Sequence, residues 1–326
     1  MKQALSLALS LVLLLSFSVL AFAGDDTTGY VGNSSVTYSY NAADKTLTLS
    51  GNGKISAQDA HRVDPFDLAE FGPFYEKTSW YTEVEKIVIE EGVLDIPSVT
   101  FYGFSSLQSV FLPKSVTAIG EPFWDAPRLT DIYYAGTVTQ WNRIDFEYQQ
   151  SPQIIVRNHD AVYPGNVSLL FPTVHITGSK TGWTVENNKT YYLTGEHVVY
   201  YGKETVDGKT YIFKFKTGEL LKGKVTCGGV RYIASKTDGR LLYGKVRCDN
   251  KYYIMSKLDG HMLYGRAQCD GKRYITGPKT GEIQYGKVKF DGRVYIANKQ
   301  DGHLYPNARV RCDGIYYRTD ETGAVI

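Results

Sequence analysis

The sequence predicts a β-rich fold of two repeat domains, a short first domain followed by a β-hairpin solenoid. Two periods of self-similarity predict it, together with a reversal of charge between the halves. Gly202-Lys203, Gly223-Lys224, Gly244-Lys245, Gly265-Arg266 and Gly286-Lys287 open units 21 residues apart. Upstream, an apolar pattern runs from Val84 to Ile96, from Leu107 to Ile119 and from Leu129 to Tyr134, a repeat of 22 to 23 residues. Residues 24–180 carry ten Lys and Arg against nineteen Asp and Glu, a net of −9; residues 181–326 carry twenty-five against fifteen, a net of +10.

At the N-terminus, Met1-Lys2 precede an apolar run through Leu5, Leu11 and Leu20 that closes on Ala21-Phe22-Ala23. A basic start, an apolar middle and small residues at the cleavage positions describe a secretory signal peptide over residues 1–23. The mature chain is then expected to start at Gly24 and to be secreted. No later stretch is long and apolar enough to span a bilayer. The C-terminus shows neither a hydrophobic tail nor a sorting motif, so attachment to a surface is expected to be non-covalent. Export disfavours nucleic acid as a partner of the basic half. Anionic extracellular polymers suit it, and a Lys-rich soluble surface is the plainer account.

The units of residues 182–326 share one grammar. Gly244 to Cys248 reads as a strand, Asp249-Asn250 as a turn, Tyr252 to Met255 as a second strand, Asp259-Gly260 as another turn, and Tyr264 closes the unit. Asp-Asn, Asp-Gly and Gly-Gly suit tight hairpins because these residues accept positive φ. A first unit at Gly182-Trp183 is one residue short. The last is displaced by one and carries Arg309, Cys312 and Tyr316-Tyr317. About seven hairpins result, and stacking buries cumulatively what no single hairpin could bury.

Gly182-Trp183 with Tyr191-Tyr192-Leu193, and the turns that follow, resemble the cell-wall-binding or choline-binding repeats of Gram-positive surface proteins, which are related to glucan-binding repeats. The resemblance covers residues 182–326 and implies a carbohydrate- or wall-binding array. In choline-binding members the resemblance implies aromatic cages for a quaternary ammonium. The second column here is Trp only at Trp183; elsewhere it is Lys203, Lys224, Lys245, Arg266, Lys287 and Arg309. Walls that become cations should repel choline. Two exceptions stay open: a cage of Trp183 with Tyr191 and Tyr211, or a pocket lined by Tyr243, Tyr264 and Tyr285.

The candidate ligand-binding residues are Trp183, Tyr191, Tyr201, Tyr211, Tyr243, Tyr264, Tyr285 and Tyr305, with Lys224, Lys245, Arg266 and Lys287. Rings with a polar tip suit sugar faces, and Lys or Arg beside them suit phosphate or carboxylate. The plainer account is that one Tyr per hairpin packs on the next.

In the first domain each repeat has an apolar strand, then Val-x-x-Ile, then Phe101 or Phe123 as a core plug. These residues read as core. The segments from Val84 to Ile96, from Leu107 to Phe123 and from Leu129 to Ile144 resemble BspA-type leucine-rich repeats of bacterial surface proteins. Leu47 to Ile55 resembles the opening strand of such domains, with Pro73-Phe74 and Trp80-Tyr81 near their aromatic segment. Domain limits are then 1–23 signal peptide, 24–146 cap and leucine-rich repeats, 147–181 connector, and 182–326 hairpin repeats.

No catalytic constellation, cofactor motif or metal-ligand spacing is present, so no enzyme activity, cofactor or metal is expected. His261 and His303 share a repeat position and read as turn side chains. Cys227, Cys248, Cys269 and Cys312 share one column that alternation turns inward. Buried free thiols are expected there, with a disulfide between neighbouring units as the alternative. Together the two resemblances imply an exported surface protein held non-covalently on cell-wall polymer or polysaccharide and displaying a leucine-rich domain, which could take a host or neighbouring-cell protein. The alternative is a secreted adhesin that binds host glycans or proteins.

Overall fold

The computed structural model describes residues 27–32, 34–55, 73–74, 78–146, 154, 156–159 and 167–326. The expected signal peptide lies outside them, as does part of the expected connector. Strands β1 (Thr28–Tyr30), β2 (Val36–Asn41) and β3 (Thr46–Gly51) form an antiparallel meander, followed by β4 (Gly53–Lys54). Each later repeat supplies a first strand to one sheet and a second to another: β5 (Lys86–Ile89) with β6 (Val93–Ile96), β7 (Ser109–Leu112) with β8 (Ala118–Ile119), and β9 (Asp131–Tyr134) with β10 (Asp145–Phe146). The first strands extend the meander in parallel, and the second ones join β4 in a second sheet in the order β10-β8-β6-β4.

Side chains alternate across a strand, so one face of each is buried. Ile87 and Ile89, Val110 and Leu112, and Ile132 and Tyr134 are the inner members. The aromatic plugs complete this core as the sequence suggests: Phe101 stacks on Phe123 at 5.5 Å, and Phe74 and Trp80 pack at its far end.

The connector, punctuated by Pro152, Pro164 and Pro172, contains strands. After a hairpin of β11 (Val156–His159) and β12 (Val167–Leu170), β13 (Thr173–Ile176) pairs in parallel with β9 and becomes the seventh strand of the first sheet. Three alternating residues, Val174 to Ile176, carry too little periodicity to announce that pairing.

Residues 182–326 form seven two-stranded hairpins, beginning at Gly182–Glu186 with Lys189–Leu193 and ending at Arg309–Cys312 with Ile315–Arg318. The array is thus a run of tandem hairpins with almost no helix, as the repeats predict. Both turn residues have positive φ in every hairpin, for example Asp249 at 50° and Asn250 at 60°. That is the primed turn whose twist matches paired strands. Behind each hairpin the chain doubles back and pairs with two neighbours at once. The Leu241 N–H donates to the Thr210 carbonyl of the preceding hairpin at 2.8 Å, and the Leu242 N–H donates to Ile233 of its own at 2.9 Å. One bridge per unit repeats this seam: Tyr211 with Arg240, Tyr232 with His261, Tyr253 with Glu282, and Tyr274 with His303.

Packing also runs forward. Ile212, Ile233, Ile254 and Ile275 are buried, and each joins the core of the following hairpin; Ile233, for instance, packs with Val246, Tyr253 and Met255. Burying such a side chain stabilises by roughly 1.5–3 kcal/mol. The first hairpin faces the other way as well. Its Tyr191, Leu193 and Val199 belong to the core of the first domain, so that core crosses the expected limit at residue 182. A one-turn helix α1 (Val138–Trp141) reinforces the joint: the Thr139 N–H donates to the Glu186 carboxylate at 2.9 Å, and the Ser179 hydroxyl donates to the same group.

Candidate functional site

The recurrent tyrosines sit inward on the second strand of each hairpin. Tyr191 and Tyr211 are buried, as are Tyr232, Tyr253, Tyr274 and Tyr295. Burial pushes the phenols of Tyr191, Tyr211, Tyr232 and Tyr274 above their ordinary range. Tyr191 and Tyr211 are 1% and 7% exposed, with their rings turned inward. Tyr201 is half-buried against the first-domain core, and the Tyr305 hydroxyl accepts a bond from Asn298 at 2.6 Å.

The cationic candidates are also engaged internally. Lys224 Nζ lies 4.9 Å from the ring centre of Tyr253, Lys245 Nζ 5.3 Å from Tyr274, Arg266 Cζ 5.9 Å from Tyr295 and Lys287 Nζ 5.2 Å from Tyr317. Lys203, over Tyr232 at 4.9 Å, belongs to the same series. In each case a cation from one hairpin covers a tyrosine of the next, buried in all but Tyr317, which is half-buried. Lys224 and Arg266 are further paired with Asp249 and Asp291. Lys245 and Lys287 have no carboxylate partner among the described residues: Lys245 donates to the Asp301 carbonyl at 2.5 Å and Lys287 to the Tyr317 hydroxyl at 3.4 Å.

At the first junction the same place is filled by Trp183, whose ring lies 4.8 Å from Tyr211. Tyr192 and Phe213 flank it at 5.2 and 6.0 Å, and Tyr200 stacks on Tyr192 at 5.1 Å. Trp183 is 41% exposed, so this cluster presents indole to solvent. Tyr192, Tyr200 and Phe213 were not marked by the sequence, because strand alternation hides which of two adjacent tyrosines meets the next unit.

Tyr243, Tyr264 and Tyr285 are 41%, 39% and 38% exposed. Each rests against the glycine of the following turn, Gly260, Gly281 and Gly302, where an added Cβ would meet a ring carbon at 3.2, 3.4 and 3.3 Å. Beside Tyr264 opens a groove of about 480 Å³ lined by Val230, Arg231, His261 and Leu263. His261 and His303 each turn a ring nitrogen to an aspartate two residues earlier, Asp259 and Asp301.

The four cysteines are free, with Cys248, Cys269 and Cys312 buried and Cys227 half-buried. Cys269 and Cys312 donate to Asp270 and Asp313 at 3.3 and 3.4 Å. Burial first, and then the carboxylates of Asp249, Asp270 and Asp313, push the thiols of Cys248, Cys269 and Cys312 upward.

Among the described residues no group of His, Cys, Asp and Glu is placed to hold a metal ion, and no helix is long and apolar enough to cross a membrane.

No protein-family profile matches the chain, and no curated protein does. Among solved structures it is similar to choline binding protein F from Streptococcus pneumoniae, at 24% identity over 51% of this chain and 52% of that one, with a TM-score of 0.40. It is also similar to CbpJ from Streptococcus pneumoniae TIGR4, at 22% identity over 50% and 52%, with a TM-score of 0.41. A third is truncated alternansucrase from Leuconostoc mesenteroides, at 18% identity over 42% and 12%, with a TM-score of 0.25. The chain spans about half the length of the two streptococcal proteins.

Proposed function

We propose that this chain is an exported binding protein, without catalytic activity, whose hairpin array attaches non-covalently to cell-wall polymer or polysaccharide. The first domain, read as a short BspA-type leucine-rich repeat, is then displayed to a neighbouring protein. One observation carries the reading. In an array that buries its recurrent tyrosines, Trp183, Tyr243, Tyr264 and Tyr285 stay about two-fifths exposed at the junctions between units. An apolar ring left in water costs free energy that a sugar face would recover.

Co-sedimentation of the full chain with purified walls of the producing cell tests it. A variant with Trp183, Tyr243, Tyr264 and Tyr285 all changed to Ala should stay in the supernatant while the parent pellets. Equal pelleting by both would refute attachment through these rings, and release of the parent into the medium with binding to host glycans would favour the adhesin alternative.

A further inference from the structure

The seventh hairpin breaks the rule of the other units on one face. In hairpins two to six the residue directly opposite the column cation is a buried isoleucine: Ile212, Ile233, Ile254, Ile275 and Ile296 face Lys203, Lys224, Lys245, Arg266 and Lys287. In the seventh, Arg309 faces Arg318, and Arg311 faces Tyr316. All four are exposed, and residues opposite one another point to the same side of the ladder. Like charges placed directly opposite repel, so this pairing opposes the hairpin unless something neutralises it.

No carboxylate among the described residues does so. Asp313, in the turn of this hairpin, is taken by Lys299 and by the Cys312 thiol, and Asp320 is taken by Arg293 and Thr322. Among the described residues none pairs with Arg309, Arg311 or Arg318. The guanidiniums of Arg309 and Arg311 converge on one ring, 4.7 and 5.8 Å from the centre of Tyr316. Tyr316 itself is 60% exposed. Lys224 and Arg266 differ in having an aspartate beside them as well as a tyrosine ring.

We propose that this face is an oxyanion site for a phosphate-bearing ligand. Planar guanidiniums bind oxyanions through paired N–H donors. A carboxylate has two acceptor oxygens and a single charge. Inorganic or terminal phosphate has more of both, and so matches three guanidiniums better. The site deepens the attachment reading by naming a chemistry for the polymer, yet it depends only on the geometry of the last hairpin.

The test titrates the full chain with inorganic phosphate and, separately, with polyphosphate, at constant ionic strength set by chloride, and follows Tm and the binding isotherm. Phosphate should raise Tm above the chloride control. Binding should weaken about tenfold or more in R309Q/R318Q. That variant relieves the like-charge pair, so its Tm without phosphate should not fall, and K216Q elsewhere in the array should respond like the parent. Tighter binding of polyphosphate per phosphate assigns the site to a polymer, and equal binding assigns it to the free ion. No phosphate effect beyond chloride, or an undiminished one in R309Q/R318Q, would overturn the proposal. No wall is present in the titration, so that failure leaves wall attachment through the exposed rings standing, and the converse holds.

Discussion

The ammonium of Lys224 stands 4.9 Å from the ring centre of Tyr253, one hairpin further along the chain. A quaternary ammonium ligand would need that same ring face, and the chain has already filled it with its own cation. Repetition at Lys203, Lys245, Arg266 and Lys287 makes the array self-satisfied at five junctions.

Millimolar choline should therefore neither elute the wall-bound protein nor raise its Tm. The exception is the first junction, where Trp183 replaces the cation and lies against Tyr211 and Tyr192. Thermal melts of the parent and of Trp183→Ala with and without choline decide the matter. Stabilisation that disappears in Trp183→Ala would place a choline site there and contradict the expectation.

Cys227 differs from the other three thiols in standing before Gly228 instead of an aspartate, and in being half-buried. Raised thiol pKa values lower the thiolate fraction of Cys248, Cys269 and Cys312 at neutral pH, and the thiolate is the reacting form. Native alkylation should label Cys227 first and leave the others protected. Denaturation without reductant should release all four, as counted by mass spectrometry. Four unreactive sulfurs after denaturation would mean disulfides.

Forward packing predicts where the array is weakest to truncation of a side chain. Ile254→Ala removes the contact that hairpin four makes with Ala267, Cys269 and Tyr274, and should cost about 2–5 kcal/mol in urea unfolding. Arg318→Ala, at the equivalent place of the last hairpin, should cost nothing or stabilise. Equal losses at both positions would show that the isoleucines do not couple neighbouring units.

The sequence made the hairpin period, the primed turns and the inward cysteine column legible, because each rests on spacing within one unit. Core and aromatic plugs of the first domain were legible for the same reason: Ile87, Val110 and Ile132 recur at fixed intervals. What escaped depends on how one unit sits on another. Lys224 and Tyr253 lie in different hairpins, and only the rotation between hairpins brings them together. Tyr191 and Tyr192 look alike as letters, but one ends buried and the other lies against Trp183. The joint was hidden too, since Tyr191 and Leu193 belong by period to the array and by packing to the first domain.

Alkaline pH should reveal that first-domain core directly. Tyr134 is 1% exposed, and burial pushes its phenol up to about 12 from 10.0. The folded state thus holds the proton more tightly than the unfolded state. Below pH about 10 both states keep it and stability is unaffected; as pH rises from about 10 to about 12 the unfolded chain ionises first, and stability falls by about 2–3 kcal/mol. Tyr134→Phe keeps the ring and removes the titration, so its unfolding free energy should decline less than the parent's over the same interval. Urea unfolding at pH 8, 10 and 11.5 measures this. Parallel decline of the two proteins would mean that Tyr134 ionises as freely when folded as when unfolded, and that its ring is not sealed in the first-domain core.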